Sequence, residues 1–149
     1  MTHRLALFAT FFSSIALGCG GGGTTTPAAA FNGCSAAQFV DRTANTASRV
    51  ISYGGANGSG PYTYDPPCMT IAAGQNVTIS GGTLSSFGTH PLSPGVPGNP
   101  DAGAPRTPIP RVTDGNVREV MVDFPAPGTY PFFCEVHGAG GMTGVVQVR

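Results

Sequence analysis

Lysine and tryptophan are absent from this chain, and charged residues make up only 9% of it, where roughly a quarter is usual. Seven arginines are scattered among seven acidic residues, and the formal charge is zero. A nucleic-acid-binding protein needs a basic stripe or patch, and none is present. Carboxylates are equally sparse: Asp65, Glu119, Asp123 and Glu135 form no catalytic pair, and Ser85 and Ser86 sit in no nucleophile motif. The Cys-x-x-Cys-His signature of a c-type haem is missing. Beyond the N-terminus there is no long apolar run. The run that exists, Leu5 to Leu17, is shorter than the ~20 residues of a spanning helix.

What is abundant is glycine (23) and proline (14). That composition suits many short strands joined by turns, preceded by a flexible segment. The length allows one ordinary domain once a targeting segment is set aside, and no internal repeat is evident.

The first residues read as an export signal. Met1-Thr2-His3-Arg4 supplies a positive start, Leu5 to Leu17 the apolar stretch, and Ile15-Ala16-Leu17-Gly18-Cys19 a cleavage region. The pattern resembles a bacterial lipoprotein signal, in which cleavage leaves the cysteine as the lipid-bearing first residue. It departs from the usual form by placing Ala16 and Leu17 where Leu and then Ala or Ser are common. The resemblance implies a signal peptide over 1–18 and a lipid on Cys19. Ordinary secretion and an uncleaved anchor are the alternatives. Residues 19–32, rich in Gly, Thr and Ala, cannot form a core and would tether a domain to a membrane surface. The domain itself spans 33–149. The expected location is the periplasm or the cell surface, with lipid attachment to the membrane. Gly20, where Asp is associated with inner-membrane retention, favours the outer membrane.

Within the domain the patterns are those of strands. Ala47 to Tyr53, Tyr62 to Tyr64 and Cys68 to Ile71 are β-prone, and a turn at Ala73-Gly74 leads to Asn76–Ser80, where Val77 and Ile79 alternate with polar residues as one buried face requires. Val117 to Phe124 alternates similarly. Pro127-Gly128 turns the chain into Thr129–Cys134, and Gly144 to Val148 closes it. Residues 91–111 carry seven prolines, which predicts a long ordered loop, since proline removes backbone donors. Only Ser35 to Arg42 offers a helical turn or two. About seven to eight short strands with turns at this spacing predict an all-β, Greek-key β-sandwich.

The chemistry gathers near the C-terminus. Tyr130-Pro131-Phe132-Phe133-Cys134-Glu135-Val136-His137-Gly138-Ala139-Gly140-Gly141-Met142 sets a thiolate, an imidazole and a thioether at Cys-x2-His-x4-Met spacing. Only two histidines remain after the signal, His137 and His90, and His90 supplies a second imidazole from mid-chain. Two His and one Cys with a weak axial Met make a blue-copper electron-transfer site. Structural zinc, by contrast, prefers four N/S ligands without a thioether. With Cys19 carrying lipid and Cys134 on metal, Cys34 and Cys68 are left to form a disulfide, which an oxidising compartment permits. Pairing either of them with Cys134 is the alternative, and it would destroy the metal site. Of Phe132 and Phe133, at least one is expected in the core.

The run from Tyr130 through Cys134, His137, Met142 and Gly144 to Val146 resembles the C-terminal signature of the plastocyanin-like cupredoxins, over roughly residues 68–149. The resemblance implies a cupredoxin-like sandwich with one copper ion held by His90, Cys134, His137 and Met142. It also implies one-electron transfer between Cu(I) and Cu(II), no enzymatic activity, a monomer, and protein redox partners docking near His137. A copper-binding or copper-delivery lipoprotein without a redox role is the alternative. One position departs from the pattern. Many family members follow the first His with Asn, whose N–H donates to the Cys sulfur, whereas Pro91 has none. A lower reduction potential is the expected consequence.

Overall fold

The computed structural model describes residues 30–102 and 106–149. The signal region, Cys19 and most of the tether lie outside the described residues. Among the described residues nine strands form two sheets: β1 (Val40–Asp41), β2 (Val50–Tyr53), β3 (Tyr64–Asp65), β4 (Cys68–Ile71), β5 (Asn76–Ser80), β6 (Leu92–Pro94), β7 (Glu119–Asp123), β8 (Gly128–Cys134) and β9 (Thr143–Val148). One sheet runs β1-β4-β9-β8-β6 and the other β3-β2-β5-β7. This is the expected Greek-key β-sandwich, with two of the nine strands only two residues long.

Alternation puts the apolar faces inside. Val77 and Ile79 of β5 are buried, as are Ile51 of β2 and Val122 of β7. From the opposing sheet come Met69 and Ile71 of β4, Tyr130 and Phe132 of β8, and Val146 and Val148 of β9, all in one core cluster. Burying each such side chain contributes about 1.5–3 kcal/mol. Phe132 is central to this packing: fully buried, it meets the Tyr64 ring edge-on at 4.8 Å. Phe133 is also buried.

A second, smaller cluster joins Cys34, Cys68 and Val145, with Phe39 against it. Cys34 and Cys68 are disulfide-bonded, and Cys134 is free and buried. Asn32 adds a clasp beside the bridge. Its side-chain amide donates to the carbonyls of Phe132 (2.9 Å) and Gly144 (2.8 Å), and the Thr143 hydroxyl donates to its backbone carbonyl. Contacts with the domain therefore reach back to Asn32, inside the segment read as tether.

Three local expectations change. Ser35 to Arg42 makes a single 3₁₀ turn, Ala36–Gln38, and then the short β1, which pairs in parallel with β4. The strand expected from Ala47 begins at Val50, and the one expected from Val117 begins at Glu119. The proline-rich stretch is not all loop, because Leu92–Pro94 adds an edge strand to β8. An edge tolerates Pro94, since the donor it lacks is not needed by a further neighbour. Among the described residues no helix is long and apolar enough to cross a membrane.

Candidate metal centre

Register brings the chemistry together. Strand β8 lies between β6 and β9, with Leu92 opposite Cys134 on one side and Phe133 opposite Thr143 on the other. One step beyond the first pair, the Glu135 N–H donates to the Pro91 carbonyl at 2.9 Å. One step beyond the second, the Cys134 N–H donates to the Met142 carbonyl at 3.0 Å. His90 thus emerges beside the residues that follow Cys134, and Met142 flanks Cys134 from the other neighbour.

Each flank is shaped locally. His90 ends a tight turn in which its N–H and that of Thr89 both donate to Ser86 carbonyl (3.0 and 3.1 Å), while buried Phe87 stacks on Tyr53 at 5.0 Å. His137 opens the 3₁₀ turn Gly138–Gly140. The Met142 N–H returns to the His137 carbonyl at 3.1 Å, closing a loop that requires Gly141 at φ 101°. Gly138 is needed for space: a Cβ there would come within 2.8 Å of the Phe133 ring.

Cys134 Sγ stands 3.5 Å from His137 Nδ1 and 4.0 Å from His90 Nδ1. All three donor atoms lie within 4.8 Å of one another. Bonds of about 2.0–2.3 Å from nitrogen and sulfur to one ion place trigonal donors about 3.5–4 Å apart, so this donor set fits a single metal. Soft thiolate with two imidazoles is a copper set. The Met142 side chain is fully buried in the same cluster as Cys134.

The surroundings set the electrostatics. Burial pushes the Cys134 thiol up. The backbone N–H groups of His137 and Val136 work against this by donating to the sulfur, and the Glu135 charge adds to the rise. Burial also lowers His90, with the neighbouring His137 adding to it. Desolvation raises buried Tyr64 and Tyr53 well above the usual phenol range.

Spacing singled out Cys134, His137 and Met142, and scarcity singled out His90; the side chains around them escaped both arguments. Glu135 accepts from the Ser93 hydroxyl (2.9 Å) and pairs in a two-point ion pair with Arg111 (2.8 Å for Nη2 to Oε2), tying the ligand loop to the proline-rich stretch. Tyr62 lies against His137, its ring centroid 4.6 Å away. Nothing local to Ser93, Arg111 or Tyr62 hinted at these contacts.

Residues 51–149 match a family model described as copper binding proteins, plastocyanin/azurin family. No curated protein matches the chain. The solved structures it resembles include the following three. A Cu-containing nitrite reductase (NirK) from Thermus scotoductus SA-01 is 17% identical, with a TM-score of 0.45 over 76% of this chain, and the chain spans only 28% of that protein. The oxidised plastocyanin from Dryopteris crassirhizoma is 20% identical, with a TM-score of 0.43 over 67% of this chain and 99% of that one. The pseudoazurin from Methylobacterium extorquens AM1 is 22% identical, with a TM-score of 0.43 over 66% of this chain and 72% of that one.

Proposed function

The chain belongs to the plastocyanin/azurin family of copper-binding proteins, and from that premise we propose that it carries single electrons at one copper site. His90, Cys134, His137 and Met142 would be the ligands. The observation that carries this reading is the convergence of His90 Nδ1, His137 Nδ1 and Cys134 Sγ from two separate parts of the chain. When bound, copper supplies a one-electron couple between Cu(I) and Cu(II), which thiolate, thioether and imidazole ligands together accommodate.

The chain's own residues do the rest. Cys134 and Met142 are fully buried and His90 is 4% exposed, so three ligands are shut away from water and held by strand register. A donor set filled by four side chains has no open position for a substrate, which favours a carrier over an enzyme. Buried donors also disfavour copper delivery, which needs a ligand set accessible to the receiver. His137 is half-buried and is the one ligand reaching the surface. Electrons would therefore pass between its ring and a protein partner, beside exposed Val136 and Tyr62. Lipid on Cys19 and the 19–32 tether would hold a monomeric domain at a bacterial membrane, on the periplasmic side or at the cell surface.

Voltammetry of the copper-loaded protein tests the carrier role. A single reversible one-electron wave, absent from Cys134→Ser, is expected, and a protein with no such wave overturns it. Labelling with radioactive palmitate, lost in Cys19→Ala, tests the anchor; equal labelling of both overturns it.

A further inference from the structure

Tyr62 is the most exposed aromatic residue of the described chain's tyrosines and phenylalanines, at 59%, yet its ring is held in place. It occupies a turn in which the Thr63 N–H and hydroxyl both reach the Gly60 carbonyl (3.3 and 3.2 Å). Pro61 pre-sets the backbone just before it. Two residues on, buried Tyr64 pairs with Tyr53 and anchors β3 to β2. From this anchored turn the Tyr62 ring lies 4.6 Å from the His137 ring, tilted by 35°, and 6.2 Å from the His90 ring. The two imidazoles are themselves 4.9 Å apart, and Tyr53 backs His90 at 5.8 Å. Four rings thus run from solvent to core through both histidines.

Ligating imidazoles are commonly oriented by a hydrogen bond to the outer nitrogen. Among the described residues His137 has no such bond: its one side-chain partner is Cys134 Sγ, through Nδ1. An aromatic neighbour takes that place. We propose that Tyr62 is a positioning residue of the copper centre, its ring holding the His137 imidazole toward Cys134 and keeping water off the one ligand that reaches the surface. This rests on the copper reading above.

Two effects follow for the loaded protein. A thiolate site is positively charged with cupric ion and neutral with cuprous ion, so admitting water beside His137 favours the oxidised form and lowers the reduction potential. A His137 ring freed from its neighbour also swings away more often, and metal leaves faster.

The test compares the copper-loaded full chain with Tyr62→Ala and Tyr62→Phe. It reads the visible spectrum, the reduction potential and the rate of copper loss to excess EDTA. Tyr62→Ala is expected to keep the intense thiolate band, to have a lower potential, and to lose copper about 2- to 10-fold faster. That is the size of a ring–ring contact of ~0.5–1.5 kcal/mol at about 1.4 kcal/mol per tenfold. Tyr62→Phe keeps the ring and is expected to match the parent. Parent-like potential and copper loss in Tyr62→Ala overturn the proposal, as does a Tyr62→Phe variant behaving like Tyr62→Ala. A parent chain without the thiolate band overturns the copper reading instead, a failure visible before any Tyr62 variant is measured.

Discussion

Replacing both bridged cysteines, Cys34→Ala with Cys68→Ala, isolates what the disulfide contributes to this sandwich. The bridge closes a loop with a sequence separation of 34, for which the chain-entropy relation gives about 4 kcal/mol of restriction on the unfolded chain. Its sulfurs also fill the small cluster with Val145 and Phe39. Because Cys68 pairs with Val145 of β9, the bridge and the Asn32 clasp together hold the N-terminal segment on the sheet that carries Cys134. None of these atoms belongs to the donor set. With a urea slope of about 2 kcal/mol/M for a domain of this size, the unfolding midpoint of the chain lacking residues 1–29 should fall by about 2 M. The folded double variant should retain the parent's far-UV circular dichroism and copper-binding stoichiometry. A midpoint shift below about 0.5 M, equivalent to ~1 kcal/mol, would refute the loop-entropy argument. It would mean that Asn32 and β1 hold the segment without the bridge.

Other consequences can be measured directly. Pro91→Asn supplies the backbone N–H that proline lacks and should raise the reduction potential; an unchanged or lower potential contradicts the tuning role given to this position. Phe132→Ala empties the centre of the core and should cost about 3–5 kcal/mol in urea unfolding, whereas a loss under ~1 kcal/mol would show that the core closes over the gap. The Glu135 carboxyl is held below its ordinary 4.5, first by the Arg111 hydrogen bond and further by Ser93, against a smaller rise from burial. A lowered folded value means its contribution is complete above the ordinary value and is lost as pH falls through the folded one. Metal-free parent should therefore lose more stability than Glu135→Gln between pH 6 and pH 3, and equal losses would dismiss the ion pair.

The local patterns were most legible where period and chemistry agreed. Val77 and Ile79 alternate in β5, and Cys134, His137 and Met142 share one short loop, so their proximity is nearly built into the chain. His90 was found by scarcity, as one of two histidines after the signal. The edge strand β6 stayed hidden because Leu92-Ser93-Pro94 carries no period of its own: β8 supplies the partner, and proline masks the pattern. Arg111 and Glu135 stand 24 residues apart, and Tyr62 is 75 residues from His137 by their numbers. Such contacts depend on how the sheets stack, which local spacing does not encode. Asn32 was hidden for the opposite reason, lying at the end of a segment whose composition promised no contacts at all.

The central claim is that Cys134 binds copper as a thiolate alongside His90 and His137. The most direct measurement is the visible absorption spectrum of the Cu(II)-loaded protein beside Cys134→Ser. The account predicts an intense sulfur-to-copper band in the parent that vanishes in the variant. A colourless parent that holds copper weakly or prefers zinc would contradict it.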